Sequence, residues 1–354
     1  QNQVFRDEQP LVFAGHSDYI AALAGYDMKS ILYAIMTGAI PNESMVPHAD
    51  LGVAAGLAGG LFEVLALPPS NLNLPGVRST EKRLENDEAP QLERKYALDK
   101  TLTGIAALVK AQLKSESRVK IVRSVEELRK VKAAGKFATV LHLADADAID
   151  TELETLYVLY EAGLRSIAIT WSRRNAFGYG VPYRSPGTPD IGPGLTEAGI
   201  RLVRACNELG ILIDLAHLNE AGFWDIAKQS KAPLVITHGA AHALSPTSRA
   251  LTDRQLAAIA ESGGLVGVSL EGVKPSPAGI INDMVCQIQY LTECLGPDGV
   301  ALGSDLYHKP DTKCPDGKIL LPDLLSALQN AGYDQDMIVK IAYDNWIRVL
   351  SATW

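Results

Sequence analysis

The chain has 354 residues, 47% of them hydrophobic and 21% charged, enough for one large domain or two ordinary ones. That balance describes a well-cored globular protein and excludes a disordered or fibrous chain. A net charge of −8 and an isoelectric point near 5.4 argue against the clustered basic surface of a nucleic-acid groove.

The four cysteines form no Cys-x-x-Cys pair, so neither a zinc ribbon nor a thioredoxin-like site is expected. No stretch reaches roughly 18 uninterrupted apolar residues, so no membrane span is expected. Gln1 in place of a starting Met leaves a removed signal peptide open, with the cytoplasm as the default expectation.

In chain order, short β-branched runs alternate with longer helical patterns. Strands are expected over residues 11–15 and 60–67, then a loop over 68–90 rich in Pro, Asn and Glu, then a helix over 92–115. A short strand over 119–122 is expected to lie outside the barrel. Further strands follow over 137–143, 166–171, 211–215, 233–237, 265–269 and 300–303, with a helix over 152–161 and another starting at Thr196. Strands alternating with helices of this length call for parallel pairing. Eight such units, apolar on both strand faces, predict a closed α/β fold, a (β/α)8 TIM barrel, as a single domain over 1–354.

In such a barrel the chemistry sits just past the carboxyl ends of the strands. The first strand runs into His16-Ser17-Asp18, the fifth into His217, the sixth into His238 and the eighth into Asp305. Residues two apart in an extended segment face the same way, so His16 and Asp18 can grip one ion. Imidazole and carboxylate donors suit zinc or a similar first-row metal. A single His-x-Asp is weak, being more often a turn; four such endings on one rim are not. Asp305 could take a proton from activated water and pass it to a leaving amine. Arg249, in the loop after the sixth strand, could clamp a substrate carboxylate, while Thr252 caps the helix that follows. Trp171 and Asn175, at the fourth strand's end, could line the pocket, although a packed rim aromatic is an equal reading of Trp171. His48 precedes the second strand, on the wrong end of the barrel, and His142 reads as a hydrogen-bonded interior residue. His242 and His308 lie in loops of the active face.

Gly15-His16-Ser17-Asp18, Gly163-Leu164-Arg165-Ser166, Thr170 to Asn175, Asp214 to Leu218, Thr237-His238-Gly239, Gly303-Ser304-Asp305 and Asn345 to Leu350 carry a further signal. In this order and spacing the chain resembles the membrane (renal) dipeptidase family along nearly its whole length. The resemblance implies two zinc ions, the first held by His16 and Asp18, the second by His217 and His238, with a Glu bridging both. It also implies Asp305 as the proton-handling carboxylate, Arg249 as the anchor for a substrate's terminal carboxylate, dipeptide substrates, some with a D-residue at the carboxyl side, and a homodimer.

The chain departs from that pattern at the bridging position, which Ala144 occupies. Asp145 is the nearest replacement ligand, although one residue along a strand normally points to the other face. Ala14, Ala250 and Leu306-Tyr307-His308 are further departures. The expected activity is metal-dependent cleavage of the amide bond of a dipeptide or dipeptide-like molecule, the metal polarising the carbonyl and supplying hydroxide. With the Glu position filled by Ala144, an inactivated or rebuilt one-metal site is open. So are hydrolysis of another amide, a lactam or a lactone, and a non-catalytic binding protein on the same barrel.

Overall fold

The computed structural model describes residues 12–14, 57–64, 66, 91–115, 117, 119–269, 276, 278–303 and 321–354. Nine strands there form one sheet: β1 (Val12–Ala14), β2 (Leu57–Val64), β3 (Val119–Ile121), β4 (Phe137–Leu143), β5 (Leu164–Ala168), β6 (Leu212–Asp214), β7 (Val235–Gly239), β8 (Leu265–Val268) and β9 (Val300–Leu302). Eight run in the order β1-β2-β4-β5-β6-β7-β8-β9, every neighbour parallel. Residues of β1 and β9 approach within 8 Å Cα to Cα, so the two ends of the sheet curl toward each other. This is the α/β, TIM-barrel architecture expected from the alternation of strands and helices.

The strand over 119–121 lies off that path. It pairs with Phe137, Ala138 and Thr139 of β4, and β5 takes over at Leu141. Since β2 pairs along the opposite edge of β4, β3 and β5 share one edge in succession.

Helices return the chain between strands: α1 (Arg94–Lys114), α2 (Val125–Ala133), α3 (Glu154–Ala162), α4 (Glu197–Leu209), α5 (Glu220–Gln229), α6 (Asp253–Glu261), α7 (Ile280–Leu295), α8 (Leu321–Asn330), α9 (Gln335–Val339) and α10 (Asn345–Thr353). Side-chain caps start five of them: Ser124, Thr196, Asn219, Thr252 and Asp334 each accept from the backbone N–H three residues on. Thr252 and Gln255 form a reciprocal capping box, which fixes the start of α6 four residues after Arg249.

The barrel is plugged at one end. Leu212, Val235 and Leu265, the first residues of β6, β7 and β8, pack in one cluster with Trp346, Ile347, Val349 and Leu350 of α10. Trp346 is fully buried and donates its indole N–H to the Leu302 carbonyl at 3.0 Å. The amino ends of the strands are therefore sealed by apolar side chains, and the polar residues collect at the carboxyl ends.

Element limits differ from the expected ones where chain breakers act. The second strand spans 57–64 rather than 60–67, and the fourth barrel strand begins at Leu164 because α3 ends on left-handed Gly163 (φ 118°) immediately before it. Pro233 has no N–H to give a ladder, and β7 starts two residues later and runs through His238. His238 thus belongs to its strand rather than to the turn beyond it.

Candidate metal centre and active site

His217 and His238 meet at the carboxyl rim. Their Nε2 atoms lie 2.9 Å apart with ring centroids at 4.9 Å, and both residues are buried. His238 is delivered by β7 itself. His217 sits three residues past β6 in the left-handed region (φ 65°), which a side chain bearing Cβ adopts at a cost of about 1 kcal/mol or more. Val181 holds that turn from outside by donating its N–H to the His217 carbonyl at 2.8 Å. The other ring nitrogens are also bonded, His217 Nδ1 to Ser172 Oγ at 2.8 Å and His238 Nδ1 to Thr237 Oγ1 at 2.8 Å.

This pair fits a bound cation. Zinc–nitrogen bonds of about 2.0–2.1 Å at a tetrahedral angle place two ligand nitrogens roughly 3.3 Å apart, so the rings need to open by only a few tenths of an ångström. The hydroxyls on both Nδ1 atoms are the outer contacts that orient ligand imidazoles. Among the described residues no third His, Cys, Asp or Glu completes the group. His16, Asp18 and Asp305, expected on the same rim, lie outside the described residues, as do His48 and His308.

At the end of β4, Ala144 is buried and Asp145 turns to Arg173. The Arg173 guanidinium, itself fully buried, bonds Asp145 through Nη2, Asp147 through Nε at 2.6 Å and the Ala66 carbonyl at 2.9 Å. Two carboxylates thus face one cation. Burial above all, and then the neighbouring Asp147 charge, push the Asp145 carboxyl up to about 8, with Arg173 opposing both. A single proton on the carboxylate pair makes the cluster neutral.

Deeper in the barrel, Asp214 accepts from the N–H groups of Thr237 at 2.9 Å and Ala216 at 3.0 Å, and from Thr237 Oγ1 at 2.6 Å. His142, interior as expected, bonds Ser166 Oγ at 2.8 Å and sets its Nε2 3.7 Å from Asp214 Oδ2.

A wall of loops stands over the imidazole pair. Trp171 and Tyr183 lie 5.9 and 6.2 Å from the His217 ring, centroid to centroid, and 6.2 Å from each other. Arg249 donates from Nη1 to Tyr183 Oη at 3.1 Å with its guanidinium 5.3 Å from that ring. The loop after β5 is stitched to the loop after β7. Ser248 Oγ bonds the Pro182 carbonyl and accepts from Arg184 N at 3.1 Å, Ser248 N donates to Arg184 O at 3.0 Å, and Gly187 N to Pro246 O at 3.0 Å. The His242 ring meets the Gly187 carbonyl at 2.7 Å. Gly180 is required at the crossing, since a Cβ there would lie 1.8 Å from the Trp171 carbonyl. Asn175 binds its own loop, donating to the Ile169 carbonyl at 2.7 Å and accepting from Phe177 N and Gly178 N at 2.9 and 3.1 Å.

Of the sequence candidates, the structure brings His217, His238, Trp171 and Arg249 to one wall, ties Asp145 to Arg173, and binds Asn175 to loop backbone. Tyr183, Ser172, Thr237 and Asp214 were not singled out as site residues. Ser172, Asp214 and Thr237 carried a signal only by lying inside chain motifs, and Tyr183 carried none.

Facing imidazoles, a guanidinium and buried carboxylates at the carboxyl rim of a parallel barrel define the class of barrel metallohydrolases. The sequence profile of the membrane dipeptidase family (peptidase family M19) matches residues 48–353, and the chain belongs to that family. It is accordingly a metal-dependent hydrolase of the dipeptidase type. An uncharacterized protein in the pqqA 5′ region of Klebsiella pneumoniae is 41% identical over 250 residues, spanning 68% of this chain and 91% of the relative. The crystal structure of the M19 metallopeptidase dipeptidase AC is 34% identical with a TM-score of 0.84, covering 98% of this chain and 99% of its own. A Rhodobacter sphaeroides metallopeptidase, liganded with a phosphinate mimic of the dipeptide L-Ala-D-Ala, is 33% identical with a TM-score of 0.84 over 98% and 100%. No described helix is long and apolar enough to cross a membrane.

Proposed function

We propose that this single-domain barrel hydrolyses the amide bond of a dipeptide with a free carboxyl terminus, using zinc held by His16, Asp18, His217 and His238. The observation that carries the reading is the facing of His217 and His238 at 2.9 Å beneath a wall that ends in Arg249. When bound, the metal supplies Lewis-acid activation of the scissile carbonyl and of the attacking water.

The chain's own residues do the rest. The Arg249 guanidinium takes the substrate's terminal carboxylate in a forked pair, with Tyr183 behind it. Trp171 and Tyr183 form an aromatic side to the pocket and keep water from the imidazoles. Asn175 shapes the loop that carries Trp171. Asp305 accepts the proton released by water and returns it to the leaving amine. Asp145, bound to Arg173, is the carboxylate next in sequence to Ala144, and a second ion would need it to leave that partner. The Rhodobacter relative's L-Ala-D-Ala mimic favours a D-residue at the carboxyl side, and the family favours a homodimer.

The test is a panel of dipeptides and their carboxyl-terminal amides, assayed with zinc-loaded wild type and Arg249→Ala. Loss of about 1.5–3 kcal/mol of transition-state binding for the free acids alone, roughly 10- to 150-fold in kcat/KM, is expected. Equal loss for acids and amides would remove Arg249 from carboxylate recognition. A wild type that cleaves lactones or lactams but no dipeptide would overturn the substrate class.

A further inference from the structure

The hydroxyl of Thr237 has one hydrogen and two close neighbours, Asp214 Oδ2 at 2.6 Å and His238 Nδ1 at 2.8 Å. Asp214 Oδ1 already accepts two backbone N–H groups, from Thr237 and Ala216. The Thr237 hydroxyl donates along the shorter contact, to Asp214 Oδ2, and an oxygen lone pair is left toward His238. Nδ1 of His238 must then be the N–H, and its Nε2 carries the lone pair.

We infer that Thr237 and Asp214 are positioning residues that lock His238 in its Nδ1–H tautomer, the form that presents Nε2 as a donor to a cation. The lock is asymmetric. Ser172 Oγ, bonded to His217 Nδ1 at 2.8 Å, has no carboxylate partner among the described residues and can either donate or accept. His217 therefore keeps both tautomers open. In the metal-free protein its Nε2–H donates across the 2.9 Å gap to the His238 lone pair. When a cation replaces that hydrogen bond, the His217 proton sits on Nδ1 and the Ser172 hydroxyl turns to accept it. One histidine is preset and the other adapts, which keeps Nδ1 of each ring hydrogen-bonded to its hydroxyl in both states.

The consequence for metal binding rests on the zinc reading above; the tautomer does not. The test uses metal-free, 15N-histidine-labelled full chain and long-range proton–nitrogen correlation, with His238 identified by its loss in His238→Gln. The expected spectrum shows His238 protonated at Nδ1 and bare at Nε2. Thr237→Val loses that preference and Thr237→Ser restores it. An Nε2–H form in the wild type, or a Thr237→Val spectrum like the wild type's, overturns the lock without requiring any variant beyond those two. Zinc titration of the same proteins should show affinity 10- to 100-fold weaker in Thr237→Val and recovered in Thr237→Ser. A wild type with the expected tautomer that takes up no zinc refutes the metal reading and leaves the relay standing.

Discussion

Arg173 sits among more negative charge than it can neutralise. It faces Asp145 and Asp147 together, all three buried, and the Asp145 carboxyl is pushed up to about 8 by burial and by Asp147. The sign of the pH effect follows. From about pH 4 to about pH 8 the folded chain holds a proton on this group that the unfolded chain has released, so stability declines as pH rises through that window. Asp145→Asn leaves Arg173 paired one to one with Asp147 and should flatten the decline, raising metal-free stability above pH 8 relative to wild type. Urea denaturation at pH 5 and pH 8.5 measures it, and parallel profiles for the two proteins would refute the assignment. The orientation of Asp145 was partly legible: one residue beyond Ala144, strand parity turns it away from the rim face. Its partner was not. Arg173 comes from a loop 28 residues on, and nothing local in the sequence says that its guanidinium turns inward to two acids.

At the scale of elements, the loop between β4 and α3 is anchored by a side chain rather than by the residue at the helix boundary. Leu153, at that boundary, is left-handed and makes no cap. Asp150 takes the role, accepting from Thr155 N at 2.8 Å, Thr155 Oγ1 at 2.6 Å and Glu154 N at 3.2 Å. Its partial burial would raise the carboxyl, but the Thr155 hydroxyl and these N–H groups together bring it down to about 2. The stabilisation is therefore present at neutral pH and lost as pH falls below the unfolded value, 3.8, toward 2. Because the group is largely solvated, Asp150→Ala should cost only about 1 kcal/mol at pH 7 and less at pH 2, read from denaturation midpoints. A cost that does not shrink with acid would show that the cap is not the source. The strands and the Thr252 cap were readable because periodicity and capping chemistry are local. The stitching of the loop after β5 to the loop after β7 was not, since Ser248 and Pro182, or Arg249 and Tyr183, are 66 residues apart.

Across the whole molecule, one arrangement does the organising. Apolar side chains and Trp346 seal the amino ends of the strands, and His, Asp and Arg residues gather where the strands end. Polar residues at strand ends made the rim visible in the sequence, and the approach of His217 to His238 is the part of that rim now seen directly. The account turns on whether those two imidazoles share a cation. Zinc-loaded crystals measured at the zinc absorption edge decide it. An anomalous peak about 2.0–2.1 Å from both Nε2 atoms, with the rings moved slightly apart, is the predicted result. A zinc-loaded crystal in which the two rings keep their direct 2.9 Å contact, with the metal bound elsewhere, would contradict it.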